Sequence, residues 1–183
     1  LWVQGFAGQN NIPVTSEHVK PGNEGIGLLA GDSAIATYAL PNGVFANFRS
    51  IQNGNGSPNR FGLTIFGTEG IIKMSFGYLP KAELLIDGSW APGRTGKKWI
   101  SISSNGVGEI ETLKDGGLHA GNVLAVRDLI DAVEEDRDPE SSIYDALTAT
   151  EMIVGLFESH RQNGARVAFP IKNRNNPLAN LNI

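Results

Sequence analysis

The side chains best suited to acid–base or metal chemistry are three histidines, His18, His119 and His160. They lie far apart in the sequence, without the paired helical spacing of a metal-binding motif and without an acidic residue placed to complete a ligand set. This spacing predicts no zinc or iron site. His119 precedes a helical pattern, so we expect it to cap or pack the start of that helix. His160 lies near the end of the second helical pattern, where we expect it to interact with the negative end of the helix dipole.

Glycine-rich and acidic segments give little support for catalysis. Residues 54–59 begin like a dinucleotide fingerprint, but the third glycine is missing and a strand follows where a helix is needed. Residues 91–98 lack the first glycine and the hydroxyl residue of a phosphate-binding loop, and Ser33 lacks the second glycine of a nucleophile elbow. We expect Glu109 and Glu111 to be solvent-facing strand neighbours rather than an acid/base pair. The sequence therefore predicts no catalytic, cofactor-binding or metal-binding residue.

Composition narrows the class of protein further. The 15 basic and 19 acidic residues give a net charge of -4, and the basic residues are scattered, which argues against nucleic-acid binding. No apolar run approaches the roughly 18 residues needed to cross a bilayer, so we expect no membrane insertion. The absence of cysteine removes disulfides and thiolate chemistry. A cytoplasmic location is the default expectation.

The first two thirds of the chain reads as strands. Two strand-like runs between Ser33 and Ser50 flank an Asn42-Gly43 turn, which predicts a hairpin. A second hairpin is predicted from residues 61–66 and 71–76 around a Gly-Thr-Glu-Gly turn. Weaker strands are predicted at residues 83–87 and 98–103. The alternating segment from residue 2 to residue 7 also looks like a strand.

Helical periodicity replaces this pattern after Gly117. Apolar residues recur at helical spacing from Asn122 to about Glu135. A second helix is predicted from Ser142, where Asp145 completes a capping-box pattern, to a stop at residues 163–164. Strands followed by two helices predict a single α+β domain over residues 1–183, with an open, mostly antiparallel sheet and both helices on one face. Apolar residues occupy both odd and even positions of the strands, so both faces of the sheet carry apolar side chains. We therefore expect the face without helices to be buried against another surface as well.

Three segments, taken in order, resemble a known family. They are residues 66–70, with the sequence Phe-Gly-Thr-Glu-Gly; His119 with the helix at residues 122–133; and residues 144–153. Residues 158–170 and 176–178 resemble the closing helix, strand and proline-leucine tail of the same family. Together they resemble the C-terminal domain of Gfo/Idh/MocA oxidoreductases, across roughly residues 31–178.

The resemblance implies the substrate-binding and oligomerisation domain of an NAD- or NADP-dependent oxidoreductase that acts on a sugar, cyclitol or related polyol. The family's Rossmann fingerprint, Glu-Lys-Pro segment and Asp/His helix are absent from the sequence, which begins at Leu1 without an initiator methionine. We therefore expect an upstream Rossmann domain and a chain that is not catalytic alone. A homo-oligomer through the open sheet face is also expected. The alternative is a free-standing binding or scaffold module that reuses this fold.

The substrate-binding prediction falls on the loop before the second hairpin. By resemblance, the strand that enters the Gly-Thr-Glu-Gly turn starts beside the substrate pocket, which places Asn59 and Arg60 at the pocket entrance, with Asn53 in the same loop. Amide groups donate and accept hydrogen bonds, and a guanidinium can bind vicinal hydroxyls or a carboxylate. The competing interpretation is an ordinary solvated turn, since asparagine and glycine are common turn formers.

Overall fold

The computed structural model describes residues 1–52 and 61–182. Its helices are α1 (Gly117–Glu135) and α2 (Ile143–Arg161). Its strands, in chain order, are β1 (Trp2–Gln9), β2 (Ile12–Pro13), β3 (Lys20–Pro21), β4 (Leu28–Leu29), β5 (Ser33–Ala39), β6 (Phe45–Ile51), β7 (Gly62–Phe66), β8 (Ile71–Ser75), β9 (Ala82–Leu85), β10 (Ile100–Ser103), β11 (Gly106–Val107) and β12 (Val167–Ala168).

The expected α+β class and antiparallel pairing are confirmed. Every strand pair within the described ranges is antiparallel. The strands are divided among two five-stranded sheets and one two-stranded sheet, where we expected a single open sheet. The chain forms two compact units, one of Leu1–Gly54 with Ser141–Ile183 and the other of Asn55–Glu140.

The sheet of the first unit has the order β12-β1-β5-β6, with β2 paired to β1. The predicted hairpin is confirmed, because β5 and β6 pair from Ser33 opposite Ile51 to Ala39 opposite Phe45. Asn42 and Gly43 both take positive φ angles in its turn, 60° and 75°. Asparagine and glycine tolerate this left-handed conformation, which is why the pair indicates a turn.

Helix α2 packs on β1 in the first unit. The capping box is present as predicted, with Asp145 donating its backbone amide to the Ser142 hydroxyl at 3.2 Å. Two glycines allow the helix to approach the sheet closely. A Cβ atom at Gly5 would lie 2.9 Å from Leu156 Cγ, and one at Gly155 would lie 2.8 Å from Val3 Cγ1. The core lies at this contact and comprises Val3, Ala7, Val14, Ala36, Tyr38, Leu156, Val167, Ile171, Leu178 and Leu181.

The sheet of the second unit has the order β11-β10-β9-β8-β7 and contains the second predicted hairpin. Residues opposite one another in an antiparallel pair lie on the same face. The register therefore gives one face that is entirely apolar, formed by Leu63, Ile65, Ile72, Met74, Ala82, Leu84, Ile100, Ile102 and Val107. The opposite face, which we call the polar face, carries Thr64, Lys73, Ser75, Glu83, Ser101 and Ser103, together with one apolar row of Phe66, Ile71 and Leu85.

Helix α1 begins at Gly117, earlier than the periodicity predicts, and ends at a left-handed Asp136. Its apolar residues do not have the burial that we expected for a helix on a sheet face. Val126 is 59% exposed and Val133 is 76% exposed. Several large apolar side chains of α1 are thus exposed in the same unit that exposes an apolar sheet face, while Ala132 is buried.

Candidate functional site

The three residues predicted to bind substrate, Asn53, Asn59 and Arg60, lie outside the described residues. Their segment connects β6 of the first unit to β7 of the second. The surfaces available for a site are therefore those that the described residues form within each unit.

Asp32 organises the end of the first sheet at which β6 ends. Its backbone amide donates to Gly8 O at 2.9 Å, its carbonyl accepts from the Gln52 amide at 2.6 Å, and its carboxylate accepts from the Asn10 amide at 2.8 Å. Asn10 and Asn11 both have positive φ angles, 52° and 66°, in the β1–β2 turn. Hydrogen bonds from Asp32 thus join β1, the β1–β2 turn and the residue after β6 at a sheet edge with short amide and carboxylate side chains.

Among the described residues of the first unit, no helix covers the sheet face opposite α2. We call it the outer face, and its residues are Trp2, Gln4, Phe6, Ser33, Ile35, Thr37, Ala39, Phe45, Asn47, Arg49 and Ile51. Phe6 and Ile35 are register partners at its centre, with exposed fractions of 46% and 51%. Arg49 is the single charged residue on this face as the described parts of β1, β5 and β6 define it.

Shallow grooves lie on either side of the Phe6–Ile35 pair. One, of about 300 Å³, includes Asn11, Ile12 and Ser33 in its lining. The other, of about 360 Å³, includes Gln4, Thr37, Asn47 and Arg49. In the second groove the Thr37 hydroxyl donates to Asn47 Oδ1 at 2.9 Å. A central apolar ridge between two grooves is a surface that can bind a protein face.

A third groove, of about 310 Å³, is lined in the second sheet by Thr64, Lys73, Ser75 and Glu83 of the polar face, and also by Lys81 and by Phe61, the first described residue after the predicted loop. Lys81 and Glu83 form an ion pair at 3.0 Å, and the Lys73 ammonium lies 4.5 Å from the centroid of the Trp99 ring. Thr64 and Ser75 add hydroxyl groups. In the sequence, this face is indicated by polar residues at alternating positions of β7, β8 and β9. These positions do not form a single motif.

His160 is structural, as predicted, but its partners are backbone groups of distant segments rather than the end of the helix dipole. It is 2% exposed, its Nδ1 accepts from the Ala7 amide at 3.3 Å, and its Nε2 lies 2.8 Å from Val14 O. Because a carbonyl can only accept, these partners assign the proton to Nε2. His18 caps a short turn through the Thr15 amide at 2.9 Å, and His119 is exposed at the start of α1.

Glu111 is held as a hydrogen-bond acceptor. The hydroxyl and backbone amide of Ser104 donate to its carboxylate, at 2.6 and 2.9 Å, and lower its pKa from 4.5 to about 2. A carboxylate with this pKa is a poor proton donor near neutral pH. Glu111 lies outside the strands, so the expected strand pair with Glu109 is wrong, although both residues are exposed as predicted.

Residues 1–52 and 61–182 contain neither a metal-binding cluster nor a membrane-spanning helix. No group of three or more histidine, aspartate or glutamate side chains there is arranged to hold a metal ion. No described helix is both long and apolar enough to cross a membrane.

The described strands do not fit a dinucleotide. Nicotinamide cofactors bind at the carboxyl ends of parallel strands, where a glycine turn leads into a helix. Every strand pair among the described residues is antiparallel, and nine residues that form no strand separate β11 from the start of α1.

Comparison with known proteins identifies the family of the chain. A family model described as the oxidoreductase family, C-terminal alpha/beta domain (GFO_IDH_MocA_C), matches residues 6–169. Neither the curated proteins nor the solved structures include a match to the chain. The matched residues extend through both compact units and include both helices. The chain therefore belongs to the Gfo/Idh/MocA oxidoreductase family, as its C-terminal domain.

Proposed function

We propose that this domain supplies the substrate side and the assembly surface of an NAD(P)-dependent oxidoreductase that acts on a sugar, cyclitol or related polyol. The family match over residues 6–169 carries the proposal. Members of the family are generally NAD(P)-dependent through their N-terminal domain. The antiparallel sheets support the same division of labour, because they lack the parallel switch point that a dinucleotide uses.

Assembly is proposed through the outer face of the first sheet. α2 covers the inner face, while Phe6, Ile35, Phe45 and Ile51 remain exposed on the outer one. Interface cores are depleted of charge, and Arg49 is the single charged residue of this face among the described residues of β1, β5 and β6, while Arg166 stacks on Trp2 at the β12 edge. A second copy of the domain could place its Phe6–Ile35 ridge against the flanking groove, and two-fold symmetry would make the contact reciprocal.

The cofactor is the direct test of the proposed division. Calorimetric titration of the domain with NAD(H) and NADP(H) is expected to show no binding. The complete gene product is expected to reduce NAD or NADP in the presence of a polyol. The reading frame before Leu1 should encode a strand, a GxGxxG turn and a helix, followed by Glu-Lys-Pro. A micromolar Kd for the domain alone would contradict the proposal, and an unrelated upstream sequence would favour the scaffold alternative.

The substrate role of Arg60 belongs to the same proposal. In the complete oxidoreductase, Arg60→Ala is expected to lower kcat/KM by roughly tenfold, the loss expected for one charge-assisted hydrogen bond. Arg94→Ala, at an exposed turn of the second unit, is the matched control and should leave kcat/KM unchanged. Unchanged kinetics in a folded Arg60→Ala enzyme would make residues 53–60 an ordinary connecting loop.

A further inference from the structure

The polar groove of the second sheet combines charges and hydroxyls in one place. Register pairs Lys73 with Thr64 on one side and with Glu83 on the other, so these three side chains share a face. Ser75 lies two residues from Lys73 on the same strand, and its hydroxyl donates to Lys81 O at 3.3 Å. The groove of about 310 Å³ is within the size range of small-molecule sites.

The net charge of the groove restricts the charge of the ligand that it can bind. Lys73 and Lys81 carry positive charges and Glu83 carries one negative charge, which leaves a net charge of one positive unit. The 3.0 Å ion pair with Glu83 occupies Lys81. Lys73 instead contacts the face of Trp99, an interaction that leaves ammonium protons available for an acceptor. A ligand with a single negative charge matches this balance, whereas a phosphate dianion would meet repulsion from Glu83.

The hydrogen-bonding groups of the groove suit a polyhydroxylated ligand. The hydroxyls of Thr64 and Ser75 can donate and accept, and the Glu83 carboxylate can accept from ligand hydroxyls. Gly62 lines the groove without a side chain, since a Cβ atom there would lie 2.7 Å from Met74 O. Phe61, whose ring packs against Phe76 with the centroids 5.8 Å apart, adds an aromatic side chain to the lining.

We propose that this groove binds a sugar acid, with Lys73 pairing the ligand carboxylate and with Thr64, Ser75 and Glu83 binding its hydroxyls. The inference rests on the proposed substrate-side function and names the substrate class more narrowly. It uses residues of the second unit alone.

The test uses the indole N–H resonance of Trp99, because Lys73 lies over that ring. Glucuronate and glucose differ at one carbon, a carboxylate against a hydroxymethyl group, and are the matched probes. The ¹⁵N-labelled chain is titrated with each, with Trp99→Phe to assign the resonance. We expect a saturable shift with glucuronate and a weaker response to glucose. Lys73→Met should weaken glucuronate binding about tenfold, as expected for the loss of a charge-assisted hydrogen bond.

Control variants separate a specific role from loss of structure. Lys73→Arg keeps the charge and should keep the preference for glucuronate, while Lys114→Met removes an exposed lysine of the same unit and should change nothing. Equal binding of the two probes, or an unchanged affinity in Lys73→Met, would overturn the sugar-acid assignment and leave the proposed polyol function standing. No shift with either probe would overturn the groove as a ligand site. The proposed function would still be judged by cofactor titration and by kinetics of the complete enzyme.

Discussion

Buried polar side chains near the end of α2 bind the backbone of β1. The Ser159 hydroxyl accepts from the Gly5 amide at 2.9 Å and donates to Ala165 O at 2.6 Å. His160 accepts from the Ala7 amide on the next inward-facing position of the same strand and also reaches Val14 O. Two consecutive helix residues thus satisfy backbone groups that would otherwise be buried without partners.

Removal of the His160 imidazole should destabilise the fold. His160→Ala leaves the Ala7 amide and the Val14 carbonyl without their partner in a buried position, a loss of about 2–4 kcal/mol in the free energy of unfolding. His119→Ala, at an exposed histidine, should change it by less than about 0.5 kcal/mol. Urea denaturation followed by circular dichroism measures both. Equal stability of the two variants would contradict the role assigned to His160.

Glu111 gives a prediction about pH. Its pKa is lowered to about 2 in the folded chain and is 4.5 without these partners. The lowered value means that its hydrogen bonds stabilise the fold above pH 4.5, and that this contribution is lost as the pH falls towards 2. In an NMR titration Ser104→Ala should raise the pKa of Glu111 towards its ordinary value, because the hydroxyl that lowers it is lost. An unchanged Glu111 titration would remove Ser104 as the cause.

The roles of individual residues were the least predictable part of the sequence. The position of His160 near a helix end suggested an interaction with the helix dipole, yet its partners are Ala7 and Val14, about 150 residues earlier in the chain. A contact this distant leaves no periodic pattern in the sequence. The groove around Lys73 was missed for a similar reason, because three strands had to pair before its charges came together.

At the scale of elements, local signals gave correct results. The Asn42-Gly43 turn, the Ser142 cap and the end of α2 before Asn163 each depend on a few neighbouring residues, and each is present. The division of the strands between two sheets was not predicted. Turn residues determine pairing within a hairpin, whereas the choice of which hairpins share a sheet depends on contacts between distant segments.

The capping box provides a test at this scale. Ser142→Ala removes the acceptor for the Asp145 amide and the donor to the Asp145 carboxylate, and should cost about 1 kcal/mol in the free energy of unfolding. Thr148→Ala is the control inside the same helix, where the hydroxyl only bonds back to Tyr144 O. That change should be neutral or slightly stabilising, because alanine is the better helix former. Thermal unfolding of both variants distinguishes a capping effect from a general loss of hydroxyl groups.

At the scale of the whole molecule, the exposed apolar surface is the feature that most needs a partner. The outer face of the first sheet and the apolar face of the second both carry large side chains in contact with solvent. Soluble proteins seldom leave such patches uncovered, and contiguous ones often mark interfaces. The two faces differ in character, since the outer face mixes amide and hydroxyl groups with its apolar residues.

Self-association through the outer face can be tested by a substitution that introduces one charged residue. Ile35→Glu places a carboxylate at the centre of the ridge, and two-fold symmetry would bring two such charges together or bury each without a partner. We expect the wild-type chain to sediment as an oligomer and the variant as a monomer. Val44→Glu, at the exposed turn between β5 and β6, removes a similar apolar side chain and should leave the oligomer intact. A monomeric wild type in the micromolar range would end this proposal.

The discontinuous first unit has a consequence for synthesis on the ribosome. The hairpin of β5 and β6 can form early, but α2 leaves the ribosome about 90 residues later, which takes roughly 5 to 20 s at the usual elongation rates of ~5–20 residues per second. During that interval the inner face, with Val3, Ala36 and Tyr38, has no helix to cover it. The second unit is contiguous in the chain and is completed first. Nascent chains of this domain should therefore be clients of chaperones that bind apolar strands, until α2 closes the core.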